Sequence, residues 1–149
     1  MTFPERLEYI VKINWDHQSG GGDVYIRNHP VLSIDMPIVF GGRGIAPCPD
    51  ELFLAAIGGC YLTTFQYFQQ VIKFRILELN VSVRGTVEYL GPDGYHMPEV
   101  TVSIHIDVEE ADKPRAAECA TLPKKYCHLS RSILNGITIK VDDDVNPTL

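Results

Sequence analysis

A long apolar helix is predicted by the stretch from residue 49 to residue 60, which reads PDELFLAAIGGC. Pro49 and the acidic Asp50 suit the first turn of a helix, and we place this helix at roughly residues 50–72. It is apolar on nearly every face from residue 52 to residue 62, and such a helix must be buried on all sides. Because a chain of 149 residues can hardly wrap it alone, we expect a second copy to cover part of it.

Alternating apolar and polar residues predict β-strands before and after this helix. Three strands form an open sheet before it, over residues 7–15, 24–28 and 32–36. Their turns are predicted at residues 19–23, where glycines cluster, and around His29 and Pro30. After the helix, a hairpin with a turn at residues 91–94 is formed by strands over residues 80–90 and 100–108.

Two short helices and a last strand complete the predicted order of elements. The first helix covers residues 112–122 and is ended by Pro123, and the second covers residues 127–134 and ends at Asn135 and Gly136. The last strand covers residues 137–141. The order β-β-β-α-β-β-α-α-β predicts an α+β fold, with antiparallel strands and inserted helices in a single domain over residues 1–149.

The composition excludes some classes of partner. Hydrophobic residues make up 45% of the chain and charged residues 21%, as in ordinary globular proteins. The formal net charge is −6, and phosphate binding needs clustered cations, so nucleic acid is not an expected partner. The longest apolar run, residues 52–62, is about half the length that spans a bilayer, so no membrane association is expected.

The cysteines are expected to work in a reducing compartment. Glu5 and Arg6 stand where a secretory signal would need apolar residues, so we expect a cytoplasmic protein. Thiols stay reduced there, and cysteines are then catalytic, metal-binding or simply buried rather than joined in structural disulfides. The sequence has no Cys-x-x-Cys pair and no closely spaced pair of histidines, so a zinc site is not expected.

Cys60 and Cys127 stand in unlike surroundings. Cys60 lies in the apolar helix, where burial raises a thiol pKa and most cysteines are inert. Gly58 and Gly59 lower the helix propensity there, which suggests close approach of another backbone or a small ligand, and both interpretations stay open. Cys127 is predicted at a helix start beside the basic pair at residues 124–125 and beside His128, which favour the thiolate, although it could also be a spacer before a packed helix.

Other candidate residues have weaker support. Cys48 lies in a loop between prolines, and Cys119 is expected in the core because it lies on an alanine-rich helix face. Arg43, in a glycine-rich loop, could stabilise a thiolate and bind a peroxide oxygen, and Arg27 is its competitor. Either arginine could equally be a solvated surface charge. The histidines are scattered, and none is assigned a chemical role.

Two motifs resemble those of the OsmC/Ohr family, the osmotically inducible and organic hydroperoxide resistance proteins. Residues 49–60 resemble its first-cysteine motif, and residues 125–130, KYCHLS, resemble its second-cysteine motif. Their forms are closest to the OsmC-like branch. The resemblance implies an intertwined α+β homodimer, with antiparallel sheets around a long buried helix and two sites at the subunit interface.

The resemblance also implies a function, the thiol-dependent reduction of organic hydroperoxides in detoxification during oxidative stress. Cys60 would be the peroxidatic thiol, Cys127 the resolving thiol, and an external thiol the reductant, with no metal, haem or flavin. The family's conserved acid falls at Asp50 or Glu51, of which Glu51 fits the OsmC-like branch better. The family's arginine positions are occupied here by other residues, so Arg43 or Arg27 would have to serve.

Apolar side chains on the long helix are expected to favour bulky organic peroxides over hydrogen peroxide; they are Leu52, Phe53, Ile57, Tyr61 and Phe65. A second hypothesis is a dimeric binding protein without catalytic activity, which holds a small thiol or acyl-type ligand in an apolar interface groove. A third is that all the cysteines are filler in a protein of another activity. The reactivity of Cys60 separates the first hypothesis from the other two.

Overall fold

The computed structural model describes residues 5–18, 20–136 and 139–140. Their order is β1 (Val11–Trp15), β2 (Gly22–Ile26), β3 (His29–Ile34), α1 (Pro49–Ile72), β4 (Glu78–Tyr89), β5 (Tyr95–Asp107), α2 (Lys113–Tyr126) and α3 (His128–Leu134). All strand pairs are antiparallel, which confirms the α+β class. The residues group into two compact units, Met1–Ala55 and Ala56–Leu149. The assignment of residues 1–149 to one domain stays a prediction.

The N-terminal unit contains a three-stranded sheet in the order β1-β2-β3. The turn between β2 and β3 lies at Arg27 and Asn28, whose φ angles are 53° and 62°. Left-handed residues at both positions match the twist of a tight hairpin. The predicted turn at His29 and Pro30 is therefore wrong: both residues belong to β3, an edge strand, where a proline is tolerated.

A buried carboxylate organises the loop that follows β3. Asp35 accepts hydrogen bonds from the backbone N–H groups of Met36, Arg43 and Ile45, at 2.8, 2.9 and 3.3 Å. Burial alone would raise the pKa of Asp35, but these N–H donors outweigh it and lower the pKa. The backbone of Arg43 is thus fixed by an acid from the end of the preceding strand.

The C-terminal unit packs helices against the β4–β5 hairpin. Its buried core joins Phe65 of α1 to Phe74, Ala116 and Cys119. Gly58 is the point of closest approach, because a Cβ atom there would lie 2.8 Å from Cγ2 of Val83 on β4. The glycines predict close approach of a backbone or a small ligand, but at Gly58 the close neighbour is a valine side chain instead. At Gly59, by contrast, a Cβ would meet no described atom within 4 Å.

The structure corrects the predicted end of the first short helix. Pro123 lies inside α2, which continues to Tyr126. A proline within a helix removes one backbone hydrogen bond, but here the ring is fully buried, and apolar burial offsets that loss. The carbonyl of Pro123 also accepts the N–H of Cys127 at 2.9 Å. The predicted end of α3 at Asn135 and Gly136 is confirmed, with Gly136 at a φ of 72°.

Two strands, β1 and β5, begin furthest from their predicted starts. β1 begins at Val11, four positions after the predicted start at Leu7, and β5 begins at Tyr95, five positions before the predicted start at residue 100. The predicted last strand, residues 137–141, falls largely outside the described residues. Among the residues that the structure describes, no helix is both long and apolar enough to cross a membrane.

Candidate functional site

Two thiols that are far apart in sequence meet in the C-terminal unit. Cys60 lies on α1, and Cys127 lies between α2 and α3. Both thiols are free, and they are close enough that each shifts the pKa of the other. Cys60 is 7% exposed and Cys127 is 0% exposed, so neither is a surface thiol. The arrangement allows one sulfur to attack the other after oxidation.

Hydrogen-bond donors surround the Cys127 sulfur. The Ser130 hydroxyl donates to Cys127 Sγ at 3.4 Å. Burial alone would raise the pKa of Cys127, but hydrogen bonds from Cys60, from Ser130 and from the Leu129 N–H outweigh it and lower the pKa. The direction agrees with the low pKa predicted from the sequence. Hydrogen bonds, rather than the neighbouring lysines, lower the pKa of Cys127.

Cys60 has the opposite tendency. Burial raises the pKa of the Cys60 thiol, and the neighbouring Cys127 raises it further, while the Leu129 N–H and the Thr64 hydroxyl lower it only in part. Of the two sulfurs, Cys127 therefore loses its proton more readily than Cys60. A reaction at Cys60 needs a further group that takes this proton.

His128 is a neighbour of Cys60, whereas the sequence indicates it only as a residue that favours the Cys127 thiolate. Its ring nitrogens Nδ1 and Nε2 lie 3.6 and 4.0 Å from Cys60 Sγ. His128 is the first residue of α3 and is exposed to solvent. Its position directly after the second candidate thiol is the signal that could have found it.

The other two cysteines lie apart from this pair. Cys119 is fully buried in the core, and its thiol donates to the carbonyl of Phe65 at 3.6 Å. Burial raises the pKa of Cys119 to about 11, so the predicted core position is confirmed and the thiol is protonated at neutral pH. Cys48 is half-buried in the loop before α1. Phe65, expected to wall a substrate pocket, is part of the closed core instead.

The remaining candidates, Arg43, Asp50 and Glu51, belong to the N-terminal unit. Glu51 Oε2 accepts the Cys48 N–H at 2.8 Å, which is the carboxylate half of a capping box at the start of α1. Glu51 also lines a groove of about 570 Å³, together with residues 44–47, Leu52 and Ala55. Asp50 and Arg43 are exposed. Arg27 is exposed at the tip of the β2–β3 hairpin.

Among the described residues, possible metal ligands cluster on the β4–β5 hairpin. Glu78, His105 and Asp107 form a group on the β4–β5 hairpin, with ligand atoms within 4.8 Å of one another. All three are exposed, and His105 Nε2 already lies 3.5 Å from a carboxylate oxygen of Asp107. The two contacting thiols do not belong to this group.

The α+β fold, the long helix and the two neighbouring free thiols together indicate a class of small thiol-bearing proteins. The comparison with known families gives the class its name. The model of the OsmC-like protein family matches residues 41–142, which is more than half of the chain. The chain belongs to the OsmC-like family, and the resemblance predicted from the two cysteine motifs is confirmed.

Individual relatives are distant in sequence. The uncharacterized protein YmaD of Bacillus subtilis is 23% identical over 142 residues, which cover 92% of this chain and 93% of YmaD. An organic hydroperoxide resistance protein OsmC from Legionella pneumophila has a similar structure, with 20% identity, a TM-score of 0.66 and coverage of 85% and 89%. An OsmC-like protein of unknown function from Vibrio cholerae has 12% identity, a TM-score of 0.72 and coverage of 85% and 94%. These structural neighbours confirm the fold.

Proposed function

We propose that this protein is a thiol-dependent peroxidase that reduces organic hydroperoxides through Cys60 and Cys127. The observation that carries the proposal is that these two free thiols are neighbours within one unit, where each shifts the pKa of the other. Family membership supports it, because several structural neighbours are named as organic hydroperoxide resistance proteins. No metal, haem or flavin enters the proposed reaction.

The proposed reaction has two steps at sulfur and one of regeneration. The Cys60 thiolate attacks the terminal oxygen of the hydroperoxide, forms an S–O bond and breaks the O–O bond, which leaves a sulfenic acid and an alcohol. Cys127 then attacks the sulfenic sulfur, so that an S–S bond forms and water leaves. An external dithiol reduces this disulfide by exchange and is itself oxidised.

Cys60 is the better candidate for the attack on peroxide because it keeps some exposed surface, whereas Cys127 has none. Cys127 suits the second step, since hydrogen bonds lower its pKa and favour the thiolate. What Cys60 lacks is a low pKa of its own.

Further parts of the proposal rest on the family resemblance. We infer that Arg43 binds the peroxide or the thiolate, and that Glu51, with Asp50 beside it, orients this arginine. Arg27 stays the competing candidate for the cation. The groove beside Glu51 is apolar on the side of Leu52 and Ala55, which favours an organic substrate.

We infer that the protein acts as a homodimer in the cytoplasm. Many large apolar side chains are exposed in the single chain, including Phe53, Tyr67 and Val71 on α1 itself. Large apolar side chains that stay exposed in this number favour an interface. A second copy would cover the faces of α1 that one chain leaves open, as the sequence predicts.

A second candidate function is the binding of a small thiol or acyl-type ligand without turnover. The raised pKa of Cys60 favours it, because a protonated thiol is a poor nucleophile. The open space beside Gly59 favours it as well, since a ligand could lie there. A protein of this kind would bind but would consume no peroxide.

The test is the consumption of cumene hydroperoxide in the presence of dithiothreitol. We expect the wild-type protein to consume peroxide catalytically and Cys60→Ser to lose at least about 100-fold in rate, because the attacking sulfur is gone. Cys48→Ser is the matched control: it removes a thiol outside the pair and should keep full activity. Equal rates for Cys60→Ser and wild type would refute the proposal, and no consumption by wild type would favour ligand binding.

A further inference from the structure

We propose that His128 is a catalytic residue: its imidazole takes the proton from Cys60 and returns it to the alcohol that leaves the peroxide. This inference deepens the proposed peroxidase function. The return of the proton to the leaving alcohol rests on that function. The observation that carries it is the contact between the imidazole and the sulfur, with Nδ1 at 3.6 Å and Nε2 at 4.0 Å from Cys60 Sγ.

The local fold holds the imidazole in place beside the sulfur. The N–H of Cys127 is bonded to the carbonyl of Pro123 at 2.9 Å, and its carbonyl accepts the N–H of Arg131 at 3.1 Å. The backbone just before His128 is therefore held at the end of α2 and at the start of α3. Because His128 directly follows Cys127, the turn that brings the second thiol to Cys60 also brings the imidazole there.

Four groups face the Cys60 sulfur: the Thr64 hydroxyl on its own helix, the Cys127 thiol, the Leu129 N–H and the His128 ring. None of the four is a lysine or an arginine. The hydroxyl and the N–H can only donate to a thiolate that has already formed, and Cys127 competes for the same negative charge. His128 is the one member of this set whose side chain can act as a general base and carry a positive charge afterwards.

The surroundings of the ring suit proton transfer in both directions. His128 is exposed to solvent, so it exchanges protons freely between turnovers. Cys60 is buried beside it, and the low polarity there strengthens the attraction between a thiolate and an imidazolium. A Cys–His pair of this kind is a common way to activate a thiol whose burial would otherwise keep it protonated.

The proton balance of the proposed step is complete. The imidazole takes the Cys60 proton, which leaves a thiolate beside an imidazolium. The thiolate attacks the terminal oxygen of the hydroperoxide, the O–O bond breaks, and its electron pair leaves with the alkoxide. The imidazolium gives its proton to that alkoxide, so that one alcohol and one sulfenic acid form and His128 is neutral again. Cys60 is oxidised by two electrons and the peroxide is reduced by two.

The experiment measures the alkylation of each cysteine by iodoacetamide between pH 5 and pH 9, with the modified peptides quantified by mass spectrometry. In His128→Gln, the rate at Cys60 should fall about tenfold at pH 7, because a loss of about one pKa unit of stabilisation is tenfold in thiolate. Its pH profile should move to higher pH by the same unit. Cys48 is the reference thiol within each sample, and His105→Gln, an exposed histidine on β5, is the matched control.

An unchanged Cys60 profile in folded His128→Gln would overturn the inference. His128→Asn serves the same purpose if the glutamine variant unfolds at a lower temperature than wild type. Peroxide consumption, measured on the same samples, separates this inference from the proposed function. If Cys60 alkylation depends on His128 but wild type consumes no peroxide, the pairing stands and the peroxidase proposal fails. If wild type consumes peroxide and His128→Gln does so at the same rate, the catalytic role of His128 fails alone.

Discussion

At the scale of single residues, the pKa of each thiol depends on how many hydrogen bonds its sulfur accepts. Cys127 accepts from the Ser130 hydroxyl and from backbone N–H groups at the start of α3, in addition to Cys60. Cys60 has fewer such donors and a raised pKa. The two neighbouring thiols therefore differ in pKa. Such a difference suits the proposed reaction, in which one thiol attacks the peroxide and the other resolves the sulfenic acid.

We predict that Ser130→Ala raises the pKa of Cys127. The variant removes a donor that stabilises the thiolate, so the proton is held to higher pH, and the shift should be about one pH unit because hydrogen bonds to charged groups are strong. The measurement is the thiolate absorbance near 240 nm as a function of pH. Ser132→Ala, an exposed serine on the same helix, should leave the titration unchanged. A midpoint that stays in place in Ser130→Ala would contradict the role given to this hydroxyl.

The sequence predicts these residues only in part. It separates Cys60 from Cys127 by their neighbours, and it places Cys119 in the core from an alanine-rich helix face. It places His128 beside Cys127 but does not indicate the contact of His128 with Cys60, because that contact joins two segments that are distant in the chain. The carboxylate of Glu51 also has a structural task, as a helix cap, that the family motif alone does not indicate.

At the scale of elements, the two glycines before Cys60 have different surroundings. A side chain at Gly58 would meet Val83 of β4 at 2.8 Å, and the stiff, branched valine can move only if the hairpin shifts. At Gly59, a Cβ would meet nothing within 4 Å among the described residues. One glycine is thus required by helix–sheet packing, and the other has open space beside it among the described residues.

We predict opposite effects of alanine at these two positions. Gly58→Ala should lower the free energy of unfolding by about 1–3 kcal/mol, because overpacking exceeds the gain in helix propensity. Gly59→Ala should raise the free energy of unfolding by up to about 1 kcal/mol through that propensity alone. Urea denaturation of both variants provides the measurement. A loss at Gly59 as large as that at Gly58 would contradict the assignment of open space to this position.

Local patterns predict the elements well where one physical rule acts alone. The start and end of α1 and the β4–β5 hairpin follow from apolar periodicity, an acidic first turn and the glycines at residues 91–94. The prediction fails where tertiary packing overrides local preference. Burial carries α2 through Pro123, and a left-handed pair at Arg27 and Asn28 places the hairpin turn before the expected proline.

At the scale of the whole molecule, the order of elements and two short motifs are enough to predict the fold class and the family. The family match and the structural neighbours confirm both. Which thiols meet is a different matter, because contact between α1 and the segment before α3 depends on how the helices pack on the hairpin. The large apolar side chains that one chain leaves exposed are the observation that supports the proposal of a homodimer.

The central claim is that Cys60 and Cys127 form one redox pair. The most direct test is to treat the reduced protein with one equivalent of cumene hydroperoxide, digest it without reductant, and identify the linked peptides by mass spectrometry. The account predicts one dominant disulfide, Cys60 to Cys127, which disappears on reduction and does not form in Cys60→Ser. Unlinked, unmodified Cys60 after complete exposure to the peroxide would contradict it.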